Sequence, residues 1–304
     1  MSVPFHMSRR YISRHVFKTC QILWDVLQPL ELKPPTEDQW FQIAHRFGDL
    51  WDYPFAVGAI GGKHIALENP SNSRSMYYCY KGFPSIVLMA LGDADSCFIL
   101  LDCGQYGRIS DAGVYKTSHI LKLLEQGKLN IPTAAFNVDS TERTIPFMIV
   151  GDEAFPLKPY LMKPYAARTL DQEKRIYNCQ HSRARRTVEC AFGILAKKFE
   201  IFQRPMRVQP DQAILLTNAA AVLHNFIRRR DGRMIDRTSD VTYEVVGGEG
   251  IGMFPLEAHT HGGRPTAEAM AVRDSVKTFF NDPQGSVHWQ HKHVFRNVIV
   301  NEID

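Results

Sequence analysis

The sequence predicts an α/β domain: a mixed β-sheet flanked by helices. Three observations predict it. The hydrophobic period changes along the chain, from helical spacing near the N-terminus to short apolar runs in the middle and back to helical stripes after residue 183. Two of those runs, Ser85–Leu91 and Ser96–Leu101, are separated only by Gly92-Asp93-Ala94-Asp95, a hairpin signal. The resulting order, two helices, three consecutive strands, helix, strand, then helices, is that of a helix-covered sheet.

Taken in order, residues 13–29 carry apolar side chains at Val16, Cys20, Ile22, Leu23, Val26 and Leu27, which predicts a helix stopped by Pro29. After the Pro34-Pro35 break, Glu37–Trp51 reads as a second helix. Val57–Leu67 reads as a strand with glycines at 58, 61 and 62, followed by the hairpin. Asp111–Gln126 is amphipathic and ends at Gly127, so a helix is expected there. Ile145–Val150 is an apolar strand ended by Gly151-Asp152. Arg183–Phe199 is a helix with a stripe at Val188, Phe192, Leu195 and Phe199, and Ala213–Arg229 a second, mostly buried one. Glycines 247, 248, 250 and 252 mark a loop, and Thr266–Phe280 is a final helix.

The chain has 304 residues, 44% hydrophobic and 22% charged, which excludes a disordered chain. No apolar run approaches the roughly 18 residues of a membrane span, and Met1–Arg10 has no apolar core of a secretory signal. None of the six cysteines forms a C-x-x-C pair, which argues against zinc and redox motifs and fits a reducing compartment. Net charge is only +4, yet Lys158–Arg207 holds twelve Lys/Arg against four Asp/Glu, an excess of +8 that leaves −4 for the rest. Such a field suits a polyanion, or else a solvated helix face.

Two acidic residues stand where phosphodiester chemistry could use them. Two divalent ions about 4 Å apart clamp the attacking and leaving oxygens in two-metal cleavage, and hard ions take carboxylate ligands from rigid, converging elements. Asp152 ends a buried strand beside Gly151, a usual ligand position in an α/β sheet, although by position alone a turn or N-cap aspartate is the stronger reading. Glu189 lies in a helix with Arg185, Arg186 and Gly193 on its face; a plain i,i+4 Arg–Glu pair and a packing glycine are the alternative. Gly193 in mid-helix costs about 1 kcal/mol relative to alanine, which suggests a close backbone approach there.

Four segments then occur in register: Val57-Gly58-Ala59-Ile60-Gly61-Gly62-Lys63-His64-Ile65, Gly107-Arg108-Ile109-Ser110-Asp111-Ala112-Gly113-Val114, Gly151-Asp152-Glu153-Ala154-Phe155-Pro156-Leu157, and the run from Ser182 to Leu195. Together they closely resemble the nuclease domain of the PIF/Harbinger transposases and the harbinger-transposase-derived nucleases. The resemblance runs from about Ser13 to Arg230, and Asn281–Gln290 is similar to that family's tail. It implies an RNase H-like fold, an Asp-Asp-Glu triad holding Mg²⁺ or Mn²⁺, and a DNA substrate. It puts the catalytic, metal-binding pair at Asp152 and Glu189, with Asp111 as a further acidic residue facing the substrate or supporting the site. It also implies a helical N-terminal remnant over 1–52, a nuclease domain over 53–232 and a C-terminal tail over 233–304. A Myb/SANT-like DNA-binding partner and a place in both nucleus and cytoplasm are expected on the same grounds.

The chain departs from the family pattern in two places. The first triad aspartate belongs in Gly-Ala-Ile-Asp-Gly, and here the segment is Gly58-Ala59-Ile60-Gly61-Gly62. Glycine offers no side-chain oxygen, and loss of a metal at the transition state costs roughly a thousandfold or more in rate. Asp93, Asp95 and Asp102 on neighbouring strands are the candidates for a replacement. Ahead of the nuclease, only Ser8–Val16 stands where the family has a helix-turn-helix, which implies that autonomous sequence-specific binding is lost. DNA contact would then fall to Arg183, Arg185, Arg186, Lys197 and Lys198 in the basic segment.

Overall fold

The computed structural model describes residues 7–68, 76–109, 113–114, 117–133, 136–137, 144–231, 252–256 and 264–295. Asp111 and glycines 247, 248 and 250 lie outside the described residues. In chain order the elements are α1 (Arg9–Glu31), α2 (Glu37–Trp51), β1 (Ala56–Ala66), β2 (Ser85–Gly92), β3 (Phe98–Tyr106), α3 (His119–Glu125), β4 (Phe136–Asn137), β5 (Thr144–Ile145), β6 (Met148–Val150) and β7 (Leu161–Met162). Then follow α4 (Gln172–Lys198), α5 (Pro210–Arg230), β8 (Met253–Pro255), α6 (Ala267–Asn281) and α7 (Gln290–Val294).

The main sheet runs β3-β2-β1-β6-β7, an antiparallel meander joined through β1 to two parallel strands. This is a mixed α/β sheet of the RNase H-like kind. Strand alternation explains why both faces are covered. On β2, Ile86, Leu88 and Ala90 enter the core shared with α4 and α5, while Val87, Met89 and Leu91 enter the core beneath α2 and α3. The register of β1 against β6 shifts between Ala56 and Gly58, which brings Gly61, Lys63 and Ile65 onto the α4 side.

Several boundaries differ from the sequence expectation. Pro29 sits inside α1, two residues short of its end. A proline removes one hydrogen bond in the last turn, and tertiary contacts hold that turn instead: Asn225 Nδ2 donates to the Glu31 carbonyl at 3.0 Å, and Arg229 and Arg230 pair with the Glu31 carboxylate at 2.8 and 3.2 Å. Within the helix expected over Asp111–Gln126, Ser118 (φ −57°, ψ 131°) interrupts the helical backbone ahead of His119–Glu125, Gly113, Val114 and Thr117 before it are helical, and residues 110–112 and 115–116 lie outside the described residues. The strand expected over Ile145–Val150 divides at Pro146, which lacks a ladder N–H: β5 pairs with β4, and β6 joins the main sheet. Helix α4 begins at Gln172, where the Asp171 side chain accepts from Lys174 N–H at 2.8 Å. Glu37–Trp51 is helical as expected, opened by a capping box between Thr36 and Gln39.

The tail braces α4. Trp289 lies over the Arg183 guanidinium at 4.1 Å, and the buried Gln290 accepts from Gln180 Nε2 at 3.2 Å while donating to the Phe280 carbonyl at 2.9 Å.

Candidate functional site

The edge of β1 away from β2 is partnered towards both its ends. On the side away from β2, β6 pairs with Ala56–Ala59 and β8 with Lys63–Ile65. Among the described residues, nothing pairs with β1 between them, and a cleft of about 480 Å³ opens there. Gly61, Lys63, Asp152, Arg185, Glu189 and Phe192 line it.

Each of these arrives by a short argument. Parallel pairing stops at Ala59↔Val150, so the chain after β6 turns away beside Gly61 and delivers Asp152 to the cleft. Asp152 Oδ1 accepts the Ala154 N–H at 2.9 Å, so it is both a turn aspartate and a cleft residue. Burial pushes its carboxyl above the ordinary range, Arg185 opposes that, and Glu189 adds to it. Glu189 and Arg185 stand one turn apart on α4 and pair at 2.5 Å, with both side chains partly buried. The i,i+4 pair and the cleft carboxylate are therefore the same residue. Gly193 is exposed and an added Cβ there would meet nothing within 4 Å, so no described neighbour requires that glycine.

Gly61 is buried against α4: a Cβ built on it stands 3.1 Å from Val188 Cγ1 and 3.5 Å from Phe192 Cε2. Two residues on, along the same face of β1, Lys63 lays its ammonium 6.0 Å from the Phe192 ring centroid. Burial lowers the Lys63 amine, while Glu189 and Asp152 raise it. His181, one α4 turn before Arg185, bonds through Nε2–H to the Gly151 carbonyl at 2.7 Å and so fixes the turn that holds Asp152. Its burial pushes it down to about 4, consistent with a neutral ring. Sequence reasoning missed Lys63 and His181 as cleft residues. Strand parity with Gly61 would have found the first, and the four-residue ridge His181, Arg185, Glu189 the second.

The other expected residues lie elsewhere. Asp93 and Asp95 occupy the β2–β3 turn, where Asp95 is gripped by Arg46 at 2.9 Å, and Asp102 accepts from the His119 N–H at 2.6 Å. None of the three lines the cleft. Arg183 pairs with the buried Asp52 at 2.9 Å, whereas Arg186, Lys197 and Lys198 are exposed.

The donor set does not fit two divalent ions. Gly61 offers no side-chain oxygen, Glu189 is held by a guanidinium, and an ammonium shares the cleft with Asp152 and Glu153. Among the described residues, no group of three or more His, Cys, Asp or Glu is placed to hold a metal. No described helix is long and apolar enough to cross a membrane.

Fold and cleft together define a nuclease-type RNase H-like domain. Residues 60–225 match the model of the DDE superfamily endonucleases, and the chain belongs to that family, among the harbinger-transposase-derived nucleases. It is 29% identical over 226 residues to Protein ALP1-like of Arabidopsis thaliana, covering 71% of this chain and 54% of that protein. It is 25% identical to the Arabidopsis thaliana protein Antagonist of Like Heterochromatin Protein 1 over 68% of this chain and 54% of that protein. With the putative nuclease HARBI1 of Rattus norvegicus it shares 22% identity over 72% of this chain and 59% of that protein. The chain thus spans little more than half the length of these relatives. No solved structure matches it.

Proposed function

We propose that this chain is a DNA-binding protein of transposase-nuclease descent in which two-metal hydrolysis is impaired. Gly61 carries the reading: the β1 position that faces Asp152 and Glu189 across the cleft supplies no ligand. Binding survives such a loss, because phosphate contact needs cations rather than the missing carboxylate. Arg185 at the cleft and the exposed Arg186, Lys197 and Lys198 on the same helix provide them, within the +8 segment. The family's divalent metal, Mg²⁺ or Mn²⁺, would bind weakly here. By its name, one relative antagonises a heterochromatin protein; a chromatin setting in the nucleus, with shuttling through the cytoplasm and a Myb/SANT-like partner, belongs to the same proposal.

The test is plasmid nicking with Mg²⁺ or Mn²⁺ beside DNA binding across a salt series. The natural chain and Glu189→Gln should nick equally, at background, while log affinity falls linearly with log salt. Replacing Arg186, Lys197 and Lys198 together should flatten that slope. Metal-dependent nicking that Glu189→Gln abolishes would overturn the impairment, and no binding at low salt would overturn the DNA role.

A further inference from the structure

Residues 76–84, which lead into β2, form a small hairpin with its polarity inverted. The Tyr78–Pro84 bridge joins its two arms, and the Cys79 N–H donates to the Phe83 carbonyl at 3.0 Å. The Gly82 N–H closes the tip onto the Cys79 carbonyl at 3.0 Å, which puts Tyr80 and Lys81 at the two central turn positions. Gly82 takes the left-handed step that follows (φ 82°). Period two sorts the incoming arm: Tyr77 and Cys79 are turned inward, while Met76, Tyr78 and Tyr80 are turned to solvent. A hairpin at a surface ordinarily turns its polar side outward. Here Met76, Tyr78 and Tyr80 are 44%, 49% and 47% exposed, and Tyr106 at the end of β3 flanks them at 42%. Among the described residues four tyrosines are exposed, and three of them stand here.

Neighbouring rings hold these side chains in place. Tyr80 stands edge-on to the buried His64 of β1 with centroids 5.9 Å apart, Tyr106 meets Tyr77 edge-on at 5.0 Å, and Phe83 packs on Phe254 of β8 at 4.5 Å. Lys81 lays its ammonium 5.6 Å from the Tyr80 ring centroid and 5.9 Å from that of Phe254. Ordering the rings beforehand lowers the entropy cost of binding to them. The hairpin also borders the cleft: Pro255, next after Phe254, lines it, and Lys81 adds to burial in lowering the Lys63 amine. Of the acids near the hairpin, Glu68 is paired with Arg207, and Asp211 acts, after burial and Tyr106, on the inward Tyr77. We propose that this hairpin is a stacking platform for unpaired DNA bases: Tyr78 and Tyr80 take base faces, Tyr106 extends the row, and Lys81 meets a neighbouring phosphate. Every base has a π face, but in a duplex the neighbouring pairs cover it, so such a platform selects a single strand or a frayed end. The proposal rests on the DNA-binding reading and adds the form of the DNA to it, since cations alone would take any duplex.

The experiment follows fluorescent oligo-dT and a duplex of equal length across a salt series. It compares the natural chain, Tyr78→Ala with Tyr80→Ala, and Tyr78→Phe with Tyr80→Phe. The natural chain should hold the single strand more tightly than the duplex; the reverse order would overturn the platform. The alanine pair should weaken oligo-dT by about tenfold or more and leave the duplex affinity and the salt slope unmoved, because uncharged rings release no counterions. The phenylalanine pair keeps the rings and should bind as the natural chain does. Oligo-dT affinity unchanged in the alanine pair, or an equal loss on the duplex, would overturn the platform and leave the DNA reading standing. No binding of either DNA at low salt would overturn both. If the alanine pair fails to fold, the natural chain decides through oligo-dT carrying iododeoxyuridine, which couples to stacked aromatic rings on irradiation. A cross-link at Tyr78 or Tyr80 supports the platform, and cross-links only elsewhere overturn it. A proline-rich peptide that binds the natural chain and not the alanine pair, while oligo-dT binds both alike, would give the surface to a protein partner instead.

Discussion

At Gly61 the β1 wall of the cleft and the packing of α4 meet in one atom's space. An added Cβ stands 3.1 Å from Val188 Cγ1, closer than ordinary contact, so the valine must yield. Gly61→Asp should therefore cost about 1–3 kcal/mol in chelator, the scale of overpacking, partly offset by the stiffer unfolded chain. Val188→Ala in the same chain should recover part of that loss, read as a rise in the denaturation midpoint; no recovery would place the strain elsewhere. Arg183 makes the opposite point. Its guanidinium joins the buried Asp52 and the Trp289 ring, so Arg183→Ala should destabilise by about 2–4 kcal/mol. The DNA salt slope should stay unchanged, because its charge is already spent inside the protein; a flattened slope would return Arg183 to the DNA surface. The Arg185–Glu189 pair was legible in the sequence, since four residues on a helix suffice to place it. Arg183 was not, because its partner lies on another helix, at a residue whose left-handed backbone (φ 56°) no local pattern announces.

Among the elements, legibility follows length and period. Helices α2 and α5 and strand β2 could be read because each carries a long, regular apolar pattern. The first turns of α4 could not: their inward face includes Gln180 and His181, polar groups buried through specific bonds, which breaks the hydrophobic stripe. Strands β7 and β8 have two and three residues, too few for any period, yet Pro255 of β8 and Leu256 just after it line the cleft. Between elements, one side chain on α5 ties the start of β3 to the end of α1. Asn225 Oδ1 accepts the Phe98 N–H at 2.8 Å, and its Nδ2 donates to the Phe98 and Glu31 carbonyls at 2.7 and 3.0 Å. Asn225→Leu keeps the volume and orphans these buried groups. It should cost about 3 kcal/mol or more, measured by chemical denaturation. A loss below about 1 kcal/mol would mean that water reaches the junction.

Across the whole molecule, acid should unfold the protein through its buried histidines. His64, His181 and His224 are each pushed down from 6.5 to about 4 by burial, on the strand, the cleft helix and the packing helix respectively. A histidine whose folded value is lowered contributes stability fully present above 6.5 and lost as pH falls toward 4, because the unfolded chain binds the proton first. At 1.36 kcal/mol per unit, each is worth roughly 3 kcal/mol at the low end of that window. Together they rival the roughly 5–15 kcal/mol that holds a typical domain folded. Two carboxyls work against them. Burial raises Asp93 from 3.8 to about 6 and raises Asp152 as well, so these groups gain stability as pH falls through their folded values. Near pH 5 the histidines take up close to three protons on unfolding and the carboxyls release one or more, which leaves a net uptake of about one to two. Denaturation midpoints should therefore hold steady above pH 7 and fall steeply from about 6 to 4.5. His224→Gln, which keeps a donor toward the Ser96 carbonyl now bonded at 2.8 Å, should shallow that slope by about one proton. Asp93→Asn should steepen it by a similar amount while raising stability at pH 8, since the amide still accepts the Asp95 and Cys97 N–H groups without burying a charge. A midpoint that stays flat or rises down to pH 5 would show that the three rings are protonated in the folded protein, and that water or a counter-charge reaches sites that the packing closes.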